Sequence, residues 1–169
     1  MPKSSRKTDP SPDRPIMPKG YGIRKDKKNF LPWTHVEEKM GAAHNYWVCT
    51  TRPNGHSHAM PVWGVWVDTK FYFGTDRNSR KSRNLIEQPA VTVHLESGDD
   101  VLIVEGAAAE FKNLKLLSTV NDAYHAKYGM RMTDAPGDLA IYAVTPRKVL
   151  AWREKDFPAC ATRWLIGNS

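Results

Sequence analysis

The chain has 169 residues, 40% of them hydrophobic and 10% aromatic, which favours one domain with a core of its own. No run approaches the ~18 consecutive apolar residues of a membrane span, and residues 1–20 lack the apolar centre of a secretory signal. The net charge of +7 is local: residues 1–30 hold nine Lys/Arg against three Asp, whereas the other 139 hold 16 Lys/Arg against 15 Asp/Glu. The body is therefore nearly neutral, which argues against a domain that tracks a phosphate backbone. Cys49 and Cys160 have no CxxC spacing and no His partner at zinc-site spacing, so reduced thiols in a cytoplasmic protein are expected.

Residues 1–30 are rich in Pro, Ser, Lys and Asp and poor in apolar groups, the composition of a flexible basic arm or one laid over a partner. Residues 31–169 then form the domain. In "LPWTHVEEKMGAAHN", Thr34 and Glu37 are spaced as a capping box. Val36, Met40 and Ala43 share a face, predicting a short amphipathic helix. "YWVCTTR" (46–52) reads as a strand and "PNG" as a turn. "HSHAMPVWGVWV" (56–67) answers as the second hairpin arm. Met60, Val62, Gly64 and Trp66 point one way; Ala59, Pro61, Trp63, Val65 and Val67 point the other. Both faces are apolar, so this strand is covered on both sides or lies against a ligand. Pro61 cannot donate to a ladder, and Gly64 suits a bulge or a close approach.

"FYFGT" (71–75) is the next strand, followed by a helix that begins near Ser79 and stops before Pro89. "AVTVHLE" (90–96) and "VLIVEGAAAEF" (101–111) form a hairpin across the turn "SGDD". "NLKLLSTVNDAYHAKYG" (113–129) is a helix with Leu117, Val120, Tyr124 and Tyr128 on one stripe and Gly129 as its stop. "LAIYAV" (139–144) and "KVLAW" (148–152) are late strands separated by "TPR". Connections this short cannot make a parallel sheet. The fold class is mainly β (α+β): a small antiparallel β-barrel with peripheral helices.

The chemistry concentrates in "FGTDRNSRKSRNL" (73–85), where Arg77, Arg80, Lys81 and Arg83 fall within seven positions. Ser79 is a good N-cap, which puts Arg80 and Lys81 in the first helical turn. Cations oppose the helix dipole there unless an anion is bound. A phosphate group would use the free N–H groups, the Ser79 hydroxyl and both cations. A solvated basic face is the plainer alternative. His56 and His58, two apart on one face, lack a third metal ligand nearby and read as polar strand residues.

"FGT", "DRN" and "SRKSRNL…QP" resemble the flavin-phosphate motif of the pyridoxamine 5'-phosphate oxidase-like split-barrel family. "RPNGHSHAMPVWGVW", "VLIVEGAA" and "TPRKVLAW…TRW" resemble further pieces of it in the same order, over roughly residues 31–165. The resemblance implies an antiparallel split Greek-key barrel, a homodimer and a flavin held between subunits. Carried over by position, Gly74, Thr75, Ser79, Arg80 and Lys81 would hold the phosphate. Met60, Pro61, Val62 and Trp63 would line the ring, and Trp152 and Arg163 would approach from the C-terminal end. Val101 replaces the oxidase's Gln, and "EKDFPACATR" replaces its Arg-Leu-His segment. The likeness therefore runs toward the flavin and deazaflavin oxidoreductases of this fold, with FMN or coenzyme F-420 as cofactor and a small-molecule substrate.

No general acid or base is evident, and no Ser-His-Asp or Cys-His arrangement argues for a hydrolase. Two alternatives stand beside the oxidoreductase. One is a barrel that holds a flavin, haem or tetrapyrrole without turnover, with His58 or His94 as iron ligand. The other is a single-strand nucleic-acid module built from the basic arm and the aromatic strand.

Overall fold

Alternating β-branched and aromatic residues build nine strands among residues 9–167, the part of the chain that the computed structural model describes. In chain order the elements are β1 (Pro12–Asp13), α1 (Trp33–Ala42), β2 (Tyr46–Thr51), β3 (Ser57–Val62), β4 (Gly64–Val67) and β5 (Lys70–Asp76). Then come α2 (Arg80–Glu87), β6 (Ala90–His94), β7 (Asp100–Glu110), α3 (Leu114–Tyr128), β8 (Leu139–Arg153) and β9 (Thr162–Leu165). Every strand pair is antiparallel.

The ladder runs β3-β2-β6-β7-β8. β8 then meets two partners on its far side, β5 along residues 139–144 and β9 along 148–151. β5 in turn pairs with β4. Trp63 alone joins β3 to β4, so the expected single strand 56–67 is two: Val62 pairs with Tyr46 on β2, while Gly64 pairs with Phe73 on β5. The sheet curls as a barrel but is split at this step. Gly64 permits the bend, because a Cβ there would lie 2.3 Å from the Phe71 ring and 2.6 Å from the Tyr72 carbonyl.

The period of two explains why several strands are apolar on both faces. On β5, Phe71 and Phe73 enter the barrel core with Tyr46, Val48, Val93 and Val104. Tyr72 points outward to a second core under α3 with Val65, Val120, Tyr124 and Ile141. The Val120 and Tyr124 stripe of α3 thus covers the outer face of β4 and β5. Asn113 caps α3 and Gly129 ends it with φ 76°.

Three local expectations are corrected. Thr34 and Glu37 make no capping box: Pro32 is the N-cap of α1, without a side-chain bond. The helix starts two residues early because Trp33 is buried edge-on against Trp164, ring centroids 5.5 Å apart. "TPR" does not divide two strands; Pro146 sits opposite Gly106, where the β7–β8 register shifts, and the irregularity absorbs the missing N–H. Thr162–Leu165 forms an additional strand against β8.

Residues 9–30 lie along the chain's own C-terminal end. Pro12 and Asp13 pair with Trp164 and Arg163. Arg14 donates to the carbonyls of Ala159 (2.8 Å) and Ala161 (3.0 Å) and stands 4.4 Å over the Phe30 ring. Residues 1–8 of the basic arm fall outside the described residues.

Candidate functional site: a cationic strand-to-helix junction

β5 turns into α2 through hydrogen bonds made within a few residues. Asn78 N donates to Asp76 Oδ1 (2.7 Å), and Ser79 N donates to the Asp76 carbonyl (2.9 Å). Ser79 caps the helix as its residue type predicts: its Oγ accepts from Ser82 N at 3.2 Å and lies 3.0 Å from Thr75 Oγ1. Two hydroxyls from the end of a strand and the start of a helix therefore meet at one point.

Side chains on the other face of α2 pin it down. The Ser82 hydroxyl is 2.8 Å from Tyr142 Oη on β8, and Asn84 Nδ2 donates to Thr50 Oγ1 on β2 (2.9 Å). Leu85 is buried between them. What remains outside is basic. Among the described residues, Arg80, Lys81 and Arg83 have no carboxylate within ion-pair distance, nor does Arg52 at the end of β2. Arg77 behaves differently, pairing with Glu110 (2.9 Å) and Asp138 (3.4 Å). The four-cation cluster thus divides into one structural arginine and a group left free.

Lys81 is half-buried, and burial pushes its ammonium below the usual lysine range. His58 lies across the sheet from α2, on β3 opposite Thr50, the residue Asn84 reaches. Burial, then Arg52, Lys81 and Arg80 in that order, push its imidazole below 6.5. Among the described residues, His58 Nδ1 and Arg52 Nε are both buried with no hydrogen-bond partner. The sequence reading missed Arg52 and undervalued His58, because their place beside α2 depends on strand pairing. The available signal was His58 on the Met60 face of the motif strand.

The residues expected at the ring form an apolar strip along the end of β3 and the Trp63 link beyond it, and the second edge of β3 has no partner strand among the described residues. Met60, Pro61 and Trp63 are exposed, and Val62 is buried. Trp63 is held by stacking on Tyr128, with centroids 4.7 Å apart and planes 4° from parallel. The Tyr128 hydroxyl is within 3.0 Å of both N and O of Gly64. Gly74 turns its open side toward Met132 and Leu139, each 3.0 Å from a built Cβ, and so offers backbone only.

Trp152 and Arg163 are not brought to this junction. Trp152 pairs with Val101 and tilts on Phe157 (5.9 Å). Arg163 donates to Asp13 Oδ2 at 2.5 Å. Trp152 is ten residues beyond Tyr142 on the same strand, roughly 30 Å along it. A pocket of about 680 Å³ opens at that end, lined in part by Leu31, His35, Arg153 and Cys160. Among the described residues no three His, Cys, Asp or Glu side chains cluster as a metal site, and no helix is long and apolar enough to cross a membrane.

The chain is similar in fold to several solved structures. A conserved hypothetical protein from Mycobacterium tuberculosis is 18% identical with a TM-score of 0.67, over 86% of this chain and 99% of that one. An F-420 reductase is 21% identical with a TM-score of 0.55, over 67% and 94%. The haem storage protein HutZ of Vibrio cholerae is 14% identical with a TM-score of 0.58, over 67% and 88%. No curated protein matches the chain. The family profile described as pyridoxamine 5'-phosphate oxidase matches residues 34–153, which span the barrel from α1 to the end of β8. With the ordered motifs and the split antiparallel sheet, that match means that the chain belongs to the pyridoxamine 5'-phosphate oxidase family.

Proposed function

We propose that this protein is an oxidoreductase that binds FMN, or the deazaflavin coenzyme F-420, and passes hydride to or from a small substrate. One observation carries the reading: Lys81, half-buried in the first turn of α2 beside Arg80, has no counter-ion among the described residues. A cation there works against both burial and the helix dipole, and a phosphate group reverses both effects. The residues fit such a group. Ser79 Oγ and Thr75 Oγ1 meet at the start of the helix whose first turn carries Arg80 and Lys81, which supports their serving one phosphate group.

When bound, the flavin or deazaflavin supplies the two-electron chemistry. The chain supplies position. Met60, Pro61, Val62 and Trp63 offer an apolar, aromatic wall, and Tyr128 fixes the Trp63 plane. Trp152, roughly 30 Å along β8 from Tyr142, and Arg163, on β9 opposite Leu150, would contribute from a second protomer. A shared site therefore requires a homodimer. No residue is assigned as proton donor; solvent serves that role.

A second reading, haem binding without turnover, draws on His94. Its Nδ1 lies 2.8 Å from the Leu95 carbonyl, and an N–H donated there leaves Nε2 with a free lone pair, as an iron ligand needs. Absorption spectra of the protein titrated with FMN, coenzyme F-420 and haemin separate these readings. The first predicts saturable flavin or deazaflavin binding that is weakened by Arg80→Ala and indifferent to His94→Ala. A Soret band lost in His94→Ala, without flavin binding, would favour the second.

A further inference from the structure

The cationic junction holds more than the four residues of the sequence motif. From the geometry we infer that the anion site extends across the sheet to Arg52 and His58, and that anion binding is coupled to uptake of one proton by His58. This rests on the phosphate reading of the junction but goes beyond it, since it assigns two further ligands and a proton linkage.

The placement is fixed by β-pairing. His58 stands opposite Thr50, and Thr50 Oγ1 accepts from Asn84 on α2, so the β2–β3 hairpin is locked under the helix that carries Arg80 and Lys81. Arg52 follows two residues after Thr50, and its N–H is tied to the His56 carbonyl at 2.9 Å. Two buried ring and guanidinium nitrogens, His58 Nδ1 and Arg52 Nε, have no hydrogen-bond partner among the described residues. Buried polar groups are rarely left so; Arg52 Nε is always a donor and His58 Nδ1 is one once the ring is protonated, so an acceptor beside Arg80 and Lys81 would satisfy both.

The charged groups acting on His58 are Arg52 beyond the end of β2 and Arg80 and Lys81 from α2, and among the described residues no carboxylate joins them. Without an anion these three cations and burial keep the imidazole neutral at pH 7. A phosphate dianion changes the sign of the local field. The imidazole then takes a proton from solvent and presents N–H donors from both ring nitrogens. In the anion-free protein the same group makes the folded state lose stability as pH falls below 6.5, because the unfolded chain binds the proton first.

The test uses the full chain. Histidine NMR, with His58 identified by its loss in His58→Gln, follows its titration alone, with saturating FMN, and with inorganic phosphate. Calorimetry at pH 7.5 in buffers of different ionisation heat counts protons taken up with FMN, whose own second ionisation lies near pH 6. The expected results are a His58 titration raised by a unit or more by either anion, and proton uptake absent from His58→Gln. Arg52→Ala should bind FMN about tenfold more weakly and still take up a proton. A His58 titration unmoved by bound FMN, or uptake unchanged in His58→Gln, overturns the coupling; FMN affinity unchanged in Arg52→Ala overturns the extended site. If FMN fails to bind but inorganic phosphate raises the His58 titration, the flavin reading falls and the proton-linked anion site stands. If neither anion binds, both fall.

Discussion

Two half-buried lysines show how differently the same side chain can be used. Lys81 sits where helix dipole and burial both oppose its charge, with no carboxylate within ion-pair distance among the described residues. Lys81→Met should therefore stabilise the cofactor-free protein, by roughly 0.3–1 kcal/mol on the scale of helix-terminus charges, as read by urea unfolding. A loss of stability would mean that the ammonium has a partner in the fold. Lys127 on α3 instead donates to Tyr46 Oη at 2.6 Å and stands 4.9 Å over the Tyr46 ring, and burial pushes it down to about 8 from 10.5. Between pH 8 and 10.5 the unfolded chain holds this proton more tightly than the folded one, so stability should rise with pH in that window. Lys127→Met should flatten the rise; an unchanged slope would assign it elsewhere. Ser79 as the N-cap, with Arg80 and Lys81 in the first turn, was legible in the sequence because a helix cap is a contact within three residues. Arg52 and His58 were not, because β2–β3 register and the Asn84–Thr50 bond bring them to α2.

At the scale of elements, strand and helix types followed from periodicity, whereas breaks and joins depended on tertiary partners. "TPR" looked like a gap because Pro146 lacks an N–H, yet β8 continues through it at the register shift beside Gly106. The run 56–67 looked unbroken because its alternation persists, yet the strand changes partners at Trp63. Alternation reports which face a side chain takes and is silent about which neighbour the backbone bonds. The step also makes a prediction. Gly64→Ala puts a methyl group 2.3 Å from the Phe71 ring, deep in the core, and 2.6 Å from the Tyr72 carbonyl. It should cost about 1–3 kcal/mol as overpacking and disturb the Trp63 wall. Thermal melts check the stability, and an unchanged melting temperature would show that the bend has slack.

For the whole molecule, the body's near-neutrality and the antiparallel barrel were visible in composition and connection lengths. The docking of residues 12–30 was not, since it rests on Arg14 reaching the Ala159 and Ala161 carbonyls across more than a hundred residues. A chain starting at Phe30 should keep the barrel, whose ladder does not need β1, but lose roughly 1–3 kcal/mol with these hydrogen bonds; circular dichroism and urea unfolding read both. Complete loss of folded protein would make residues 1–29 structural. If Trp152 serves the proposed site it does so from a second protomer, and sedimentation of the cofactor-bound protein should then give about twice the chain mass; a stable cofactor-bound monomer would exclude a shared site. The most direct test is a titration of wild type, Arg80→Ala and Lys81→Ala with FMN, coenzyme F-420 and, as a ring without phosphate, riboflavin. Each substitution should weaken the phosphorylated cofactor about ten- to a hundredfold, with riboflavin binding poorly throughout and little changed. Variants that bind both phosphorylated cofactors as wild type does would reduce the junction to a solvated basic face.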